Sequence, residues 1–186
     1  MSELSFIDKY GKSKPDKRAD IILDHFQDFP SIIEVQMKTL VLKIRNEREY
    51  LQKSQKDNLG AVILTGTKSD PTAKQAIEQV YVEELVYKGE DISELMHGME
   101  NKEKMMFYRQ FHILRKMQEE YAILEGQILL MNSNEKRFFE LYSESGHDFQ
   151  YIAEQEGIRY DSARRRVWEI RKKIKSKAVN NMSEII

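Results

Sequence analysis

"YIAEQEGIRYDSARRRVWEIRKKI", Tyr151 to Ile174, is the stretch on which the reading of this chain turns. Two amphipathic segments flank Gly157, and glycine is the residue that best tolerates the left-handed conformation in which helices end. Beyond it, Ala163, Val167, Ile170 and Ile174 step by 4, 3 and 4 residues, the single apolar stripe of a helix. Arg164, Arg165, Trp168, Arg171, Lys172 and Lys175 fall away from that stripe. A basic run by itself is usually a solvated face. Here it coincides with the turn glycine, with Ile158 placed to fill the space between helices, and with small Ala153 and Ala163 where two helices would cross closely. Together these predict a helix-turn-helix with a basic outer face.

The preceding residues extend the same unit. "NEKRFFELYSE" carries Phe138, Leu141 and Tyr142 on one face and stops before Gly146. Asp148 is a good N-cap for "FQYIAEQE", whose Phe149, Ile152 and Ala153 face inward. The lone Trp168 has two readings, packing against upstream residues or lying along a ligand, and packing is expected because a single tryptophan is more often core.

Charge separates this segment from the rest of the chain. From Arg159 to Lys177 there are nine cations (Arg159, Arg164, Arg165, Arg166, Arg171, Lys172, Lys173, Lys175, Lys177) against Asp161 and Glu169. The segment is thus at +7 in a chain whose formal net charge is −1. Such asymmetry points to a local polyanion contact.

Upstream, the periodicity is helical throughout, and an all-α fold is expected. Residues 1–14 read as polar and loose. Ala19, Ile22, Leu23 and Phe26 follow at helical spacing after Pro15. Pro30 and Ser31 open a long helix to about Ser54, with Ile33, Met37, Leu40, Ile44 and Leu51 on a narrow stripe. That stripe suits packing within one chain; a coiled-coil homodimer is the alternative. "LGAVILTGTKSD", Leu59 to Asp70, reads as a linker with an apolar anchor. Gly60, Gly66, Lys68 and Ser69 do not make a phosphate-binding loop, because five residues separate the glycines and Thr67 stands between Gly66 and Lys68. Asp70 and Pro71 start another helix, through Ala73, Ala76, Ile77, Val80, Tyr81 and Leu85. A further long helix follows Asn101, with Phe107, Phe111, Leu114, Tyr121, Leu124, Ile128 and Met131 as its stripe, and "MNSN" interrupts it. The expected organisation is a helical region over 1–58, a linker over 59–70, a helical middle region over 71–131, the helix-turn-helix over 132–178 and a flexible tail over 179–186.

Several function classes are disfavoured. The chain has no cysteine, which removes disulfides, thiolate metal sites and cysteine nucleophiles. His25, His97, His112 and His147 are scattered, without the spacing of a helical zinc pair. Glu83, Glu84, Glu119 and Glu120 are adjacent pairs that point to different helix faces and read as surface solvation. No serine stands in a nucleophile elbow. Neither enzymatic activity, nor a cofactor, nor a metal is expected. No apolar run approaches the roughly 18 residues of a membrane span, and no secretory signal is evident, so a cytoplasmic location without membrane contact is expected.

Glu135 to Ile174, about a fifth of the chain, resembles region 4 of the sigma-70 family, which reads the −35 promoter element. "NEKRFFELY", "YIAEQEGIR" and "DSARRRVWEIRKKI" match that family's pattern with its spacing and without a gap. Arg159 departs from it, where the family often has a capping serine, as does Ala163, where valine or isoleucine is usual. The aromatic-rich region of a complete sigma factor is missing. "SDPTAKQAIEQV", a long helix and a terminal unit of this kind are instead similar to bacteriophage late-gene activators of the ArpU/RinA type. The resemblance implies a promoter-binding activator in a bacterial host cell, working on double-stranded DNA with RNA polymerase. Under that reading Tyr160, Asp161, Arg164 and Arg165 meet base edges, since arginine forks suit guanine and Asp161 can accept from a cytosine amine. Lys136, Gln150, Ser162, Arg171, Lys172 and Lys175 contact phosphates. Two rivals remain: a protein that binds the polymerase through the same basic helix, and a small terminase subunit, whose helix-turn-helix is usually N-terminal.

Overall fold

The computed structural model describes residues 6–58, 71–89 and 91–182, and every regular element among them is helical. The chain is an all-α protein. No helix among the described residues is long and apolar enough to cross a membrane. The linker and the glycine–lysine stretch at 59–70 lie outside the described residues.

Packing divides the chain into two compact units. One joins the described residues up to Ile33 with those from Lys116 onward, and the other spans Glu34–Arg115. The first unit therefore interleaves the N-terminal helices with the C-terminal ones, a grouping that boundaries drawn along the sequence do not follow.

In the first unit, α1 (Phe6–Gly11) occupies residues expected to be loose. Six residues do not hold a helix alone in water. Tertiary contacts hold this one: Ile7 and Tyr10 are buried, and the Phe6 ring meets His25 and Phe29 edge-on at 5.8 and 6.3 Å. α2 (Pro15–Asp24) starts on its proline and buries Ala19, Ile21, Ile22 and Leu23, together with Arg18. Glu120, expected at the surface, is fully buried and accepts from Arg18 Nε and Nη2 at 2.8 and 2.6 Å and from the Tyr10 hydroxyl at 2.6 Å. The Arg18 fork supplies what burial of a carboxylate requires, and the sequence spacing of Glu119 and Glu120 carries no sign of it.

Glu120 lies on α5 (Asn101–Leu129), along whose predicted stripe Phe107, Phe111, Leu114 and Leu124 are buried. The "MNSN" interruption is a helix boundary, where the Asn132 side chain accepts from Glu135 N at 2.9 Å and caps α6 (Ser133–Glu144). α7 (Phe149–Glu156) and α8 (Tyr160–Val179) complete the unit. Beyond α8, Met182 is buried, so the segment expected as a tail still contributes an apolar anchor.

In the second unit, α3 (Phe29–Asn58) buries Met37, Leu40, Val41 and Ile44 within the chain. The stripe is thereby occupied, as the intrachain reading expects. α4 (Pro71–Lys88) buries Val82 and Val86, whereas Ile77 and Val80 are 70% and 62% exposed. The face expected inward thus points outward. α4 has apolar residues on two faces, so periodicity alone does not choose between them. Ile92, Leu95, Met96 and Met99, around a short 3-10 helix at Ser93–Met96, are buried.

Candidate nucleic-acid interface

The placement of α8 begins at the cap of α7. The Asp148 carboxylate accepts from Gln150 N and Tyr151 N at 2.8 and 3.2 Å, satisfying two amides that the helix leaves unpaired. At the other end Gly157 takes φ 62° and ψ 33°, and Ile158 N donates to Ala153 O at 3.0 Å. That left-handed closure turns the chain within three residues, Gly157 to Arg159, into α8. The Arg159 side chain makes no capping hydrogen bond. Its carbonyl accepts from Ser162 N and Ala163 N at 3.0 Å instead.

Ala163, Val167, Ile170 and Ile174 are buried as their spacing predicts, joined by Ala178. The three consecutive arginines separate. Arg164 and Arg165 are exposed, and Arg165 pairs with Glu169 at 3.4 Å on an open surface. Arg166 turns aside, with its guanidinium 4.8 Å from the centre of the Phe138 ring on α6. Tyr160 is 45% exposed and stands edge-on to Phe149, and Asp161 is exposed.

Trp168 is not packed against upstream residues but is 60% exposed. The inward positions of α8 are already filled by the Ala163–Ile174 stripe. The indole therefore shares the outer side with Arg164, Arg165 and Lys172, and Lys172 Nζ lies 5.0 Å from its ring. A groove of about 920 Å³ runs along this side. Its walls carry Arg164, Arg165, Trp168 and Lys172 of α8, Phe149 of α7, and Asp16 and Asp20 of α2.

The residues expected to contact phosphates divide. Lys172 faces the groove and Ser162 is exposed. Lys136 is half-buried on α6, and Gln150 donates to Glu154 Oε1 at 2.8 Å. Arg171 and Lys175 have carboxylate partners of their own. Arg171 Nη2 donates to Asp24 Oδ1 at 2.6 Å, and its other terminal nitrogen donates to the Tyr142 hydroxyl. Lys175 Nζ lies 2.8 Å from Asp16 and 2.9 Å from Asp20. Burial works against both charges, yet the hydrogen bonds to these aspartates outweigh it and raise both pKa values. Asp16, Asp20 and Asp24 are the residues that sequence reasoning missed. Their four-residue spacing is visible in "DKRADIILD", but nothing local shows which cations they meet.

Among the described residues no group of histidine and acidic side chains could hold a metal ion. Comparison with protein-family models, curated proteins and solved structures finds no match to this chain.

Proposed function

We propose that α7 and α8 form a helix-turn-helix that reads double-stranded DNA, and that the protein is a transcriptional regulator acting at promoters with a bacterial RNA polymerase, as the phage late-gene activators it resembles do. One observation carries this reading. α8 is entered through the left-handed Gly157 turn, buries one face, and leaves Arg164, Arg165, Trp168 and Lys172 together on the other. That is the arrangement a recognition helix needs: its N-terminal side chains meet base edges and its later cations meet phosphates. In this reading Arg164 and Arg165 are the base readers, with Tyr160 and Asp161 one turn earlier. Lys172 is the phosphate contact on the same side, and Trp168 stands between them in the groove.

The test is selection of bound fragments from sheared bacterial and phage DNA, using the full chain beside Arg164→Ala/Arg165→Ala. Enrichment of one promoter-like site by the native protein, lost in the variant, is the expected result. If neither protein enriches anything above background at moderate salt, autonomous DNA reading is wrong.

One feature favours a second reading. An exposed tryptophan beside arginines is also the composition of a protein-binding hot spot, which suits direct attachment to the polymerase. Association with purified polymerase but not with naked duplex would select that reading.

A further inference from the structure

The cations of α8 that lie nearest the N-terminal helices are met by a ladder of carboxylates. Asp16, Asp20 and Asp24 stand four residues apart on α2, and Arg171 and Lys175 stand four apart on α8. The two rows engage in register: Lys175 with Asp16 and Asp20, Arg171 with Asp24, at 2.6–2.9 Å. From this geometry we infer that the acidic face of α2 is an intrachain phosphate mimic, which covers part of the nucleic-acid face of α8 and is displaced when a duplex binds. The inference rests on the DNA-reading proposal and goes beyond it by making the affinity of that site adjustable from α2.

Three observations support it. Asp16 and Asp20 line the same groove as Arg164, Arg165 and Lys172, so a phosphate entering the groove meets carboxylates that repel it. The pairs are also exchangeable. The Asp16 and Asp24 side chains are 70% and 47% exposed, against 23% and 20% for Lys175 and Arg171, so each pair is screened by water from its carboxylate side and can yield to a competing anion there. Finally, α2 does not depend on these pairs for its position. Two of its anchors, Ile22 and the Arg18–Glu120 bond, are buried and stand at helical spacing opposite the aspartates. The ladder can open while the core stays closed. Arg171 is additionally held by Tyr142, which makes Lys175 the cation released first.

The experiment compares the full chain, Asp16→Asn/Asp20→Asn and a charge-matched control, Asp28→Asn/Glu125→Gln, whose carboxylates lie outside the groove. Binding to a 30-base-pair mixed-sequence duplex is followed over a salt series, and a thermal melt of each variant checks the fold. The groove variant is expected to bind about two- to fivefold more tightly than the control at low salt, because Lys175 is then free to pair with a phosphate. Its log–log salt slope is expected to steepen by about one, the signature of one more phosphate contact. Adding Lys175→Ala should cost more affinity in the groove variant than in the native background, where Lys175 is already neutralised. That difference remains readable if the groove variant melts a few degrees lower. If the native chain binds but the groove variant gains no more than the control, α2 is not a phosphate mimic and the DNA reading stands. If no form binds the duplex, both fall together.

Discussion

Arg18 Nη2 and Glu120 Oε1 lie 2.6 Å apart, 102 residues apart in the chain, with side chains 1% and 0% exposed. The carboxylate is fully engaged: Arg18 grips both of its oxygens, and the Tyr10 hydroxyl donates to one of them. Burial and the neighbouring Glu120 charge push the Tyr10 pKa far above its ordinary range, so Tyr10 stays a donor at any physiological pH.

Removing one partner of this pair leaves an uncompensated buried charge, which costs about 3–5 kcal/mol. Arg18→Met and Glu120→Leu should therefore each lower the stability of this unit severely in a chemical-denaturation series. The double variant should recover most of the loss, because no charge is then stranded. Equal additive losses would show that the pair contributes by packing alone.

Trp168→Ala should leave stability within about 0.5 kcal/mol of native, the usual range for an exposed position, while weakening duplex binding. Since Trp168 is the only tryptophan, its fluorescence reports the groove directly, and the native emission should shift when duplex is added. Lys172→Ala should reduce the salt slope by about one without changing which sequence is preferred. A destabilised Trp168→Ala protein would mean that the indole packs after all.

His147 sits at φ 75° with its ring stacked 4.3 Å from that of Tyr142. Burial, and then the Arg171 charge, lower its pKa below the ordinary 6.5. The unfolded chain thus binds a proton that the folded one resists. The stability contributed here is complete above about pH 6.5 and is lost as pH falls below that value toward the lowered folded pKa. His147→Asn, which tolerates the left-handed backbone, should flatten this slope in melts between pH 5 and 7. An unchanged slope would assign the acid sensitivity to other groups.

Two glycines should respond oppositely to alanine. A Cβ at Gly157 or at Gly126 would meet nothing within 4 Å, so space does not decide either case. Gly157 is left-handed, and Gly157→Ala should cost about 1–2 kcal/mol. Gly126 lies within α5, and Gly126→Ala should stabilise by about 0.5–1 kcal/mol. Denaturant midpoints of the two variants on either side of native would bear this out.

What was legible in the sequence is what local physics writes there. The Asp148 cap, the Gly157 turn, the Ala163–Ile174 stripe and the long runs of α3 and α5 were all read correctly, because capping, turn geometry and a one-sided stripe are properties of neighbours in sequence. The failures needed partners far along the chain. α1 is too short to announce itself, α4 is apolar on two sides, Glu120 is buried only because Arg18 reaches it, and the aspartates of α2 mean little until α8 lies beside them. Trp168 failed differently. Its helical position, off the Ala163–Ile174 stripe, places the side chain outside, which residue type alone does not indicate.

The joining of the first helices to the last also sets an order of assembly. α1 and α2 are synthesised more than a hundred residues before α8, whose Arg171 and Lys175 meet the carboxylates of α2. Their unit closes by the longest-range contacts in the chain, the kind that form late and slowly. A nascent polypeptide stalled before residue 160 would therefore display a half-built, acidic surface, and the basic helix would meet its neutralising partner already waiting. The acidic row of α2 is thus made before the cations that it meets.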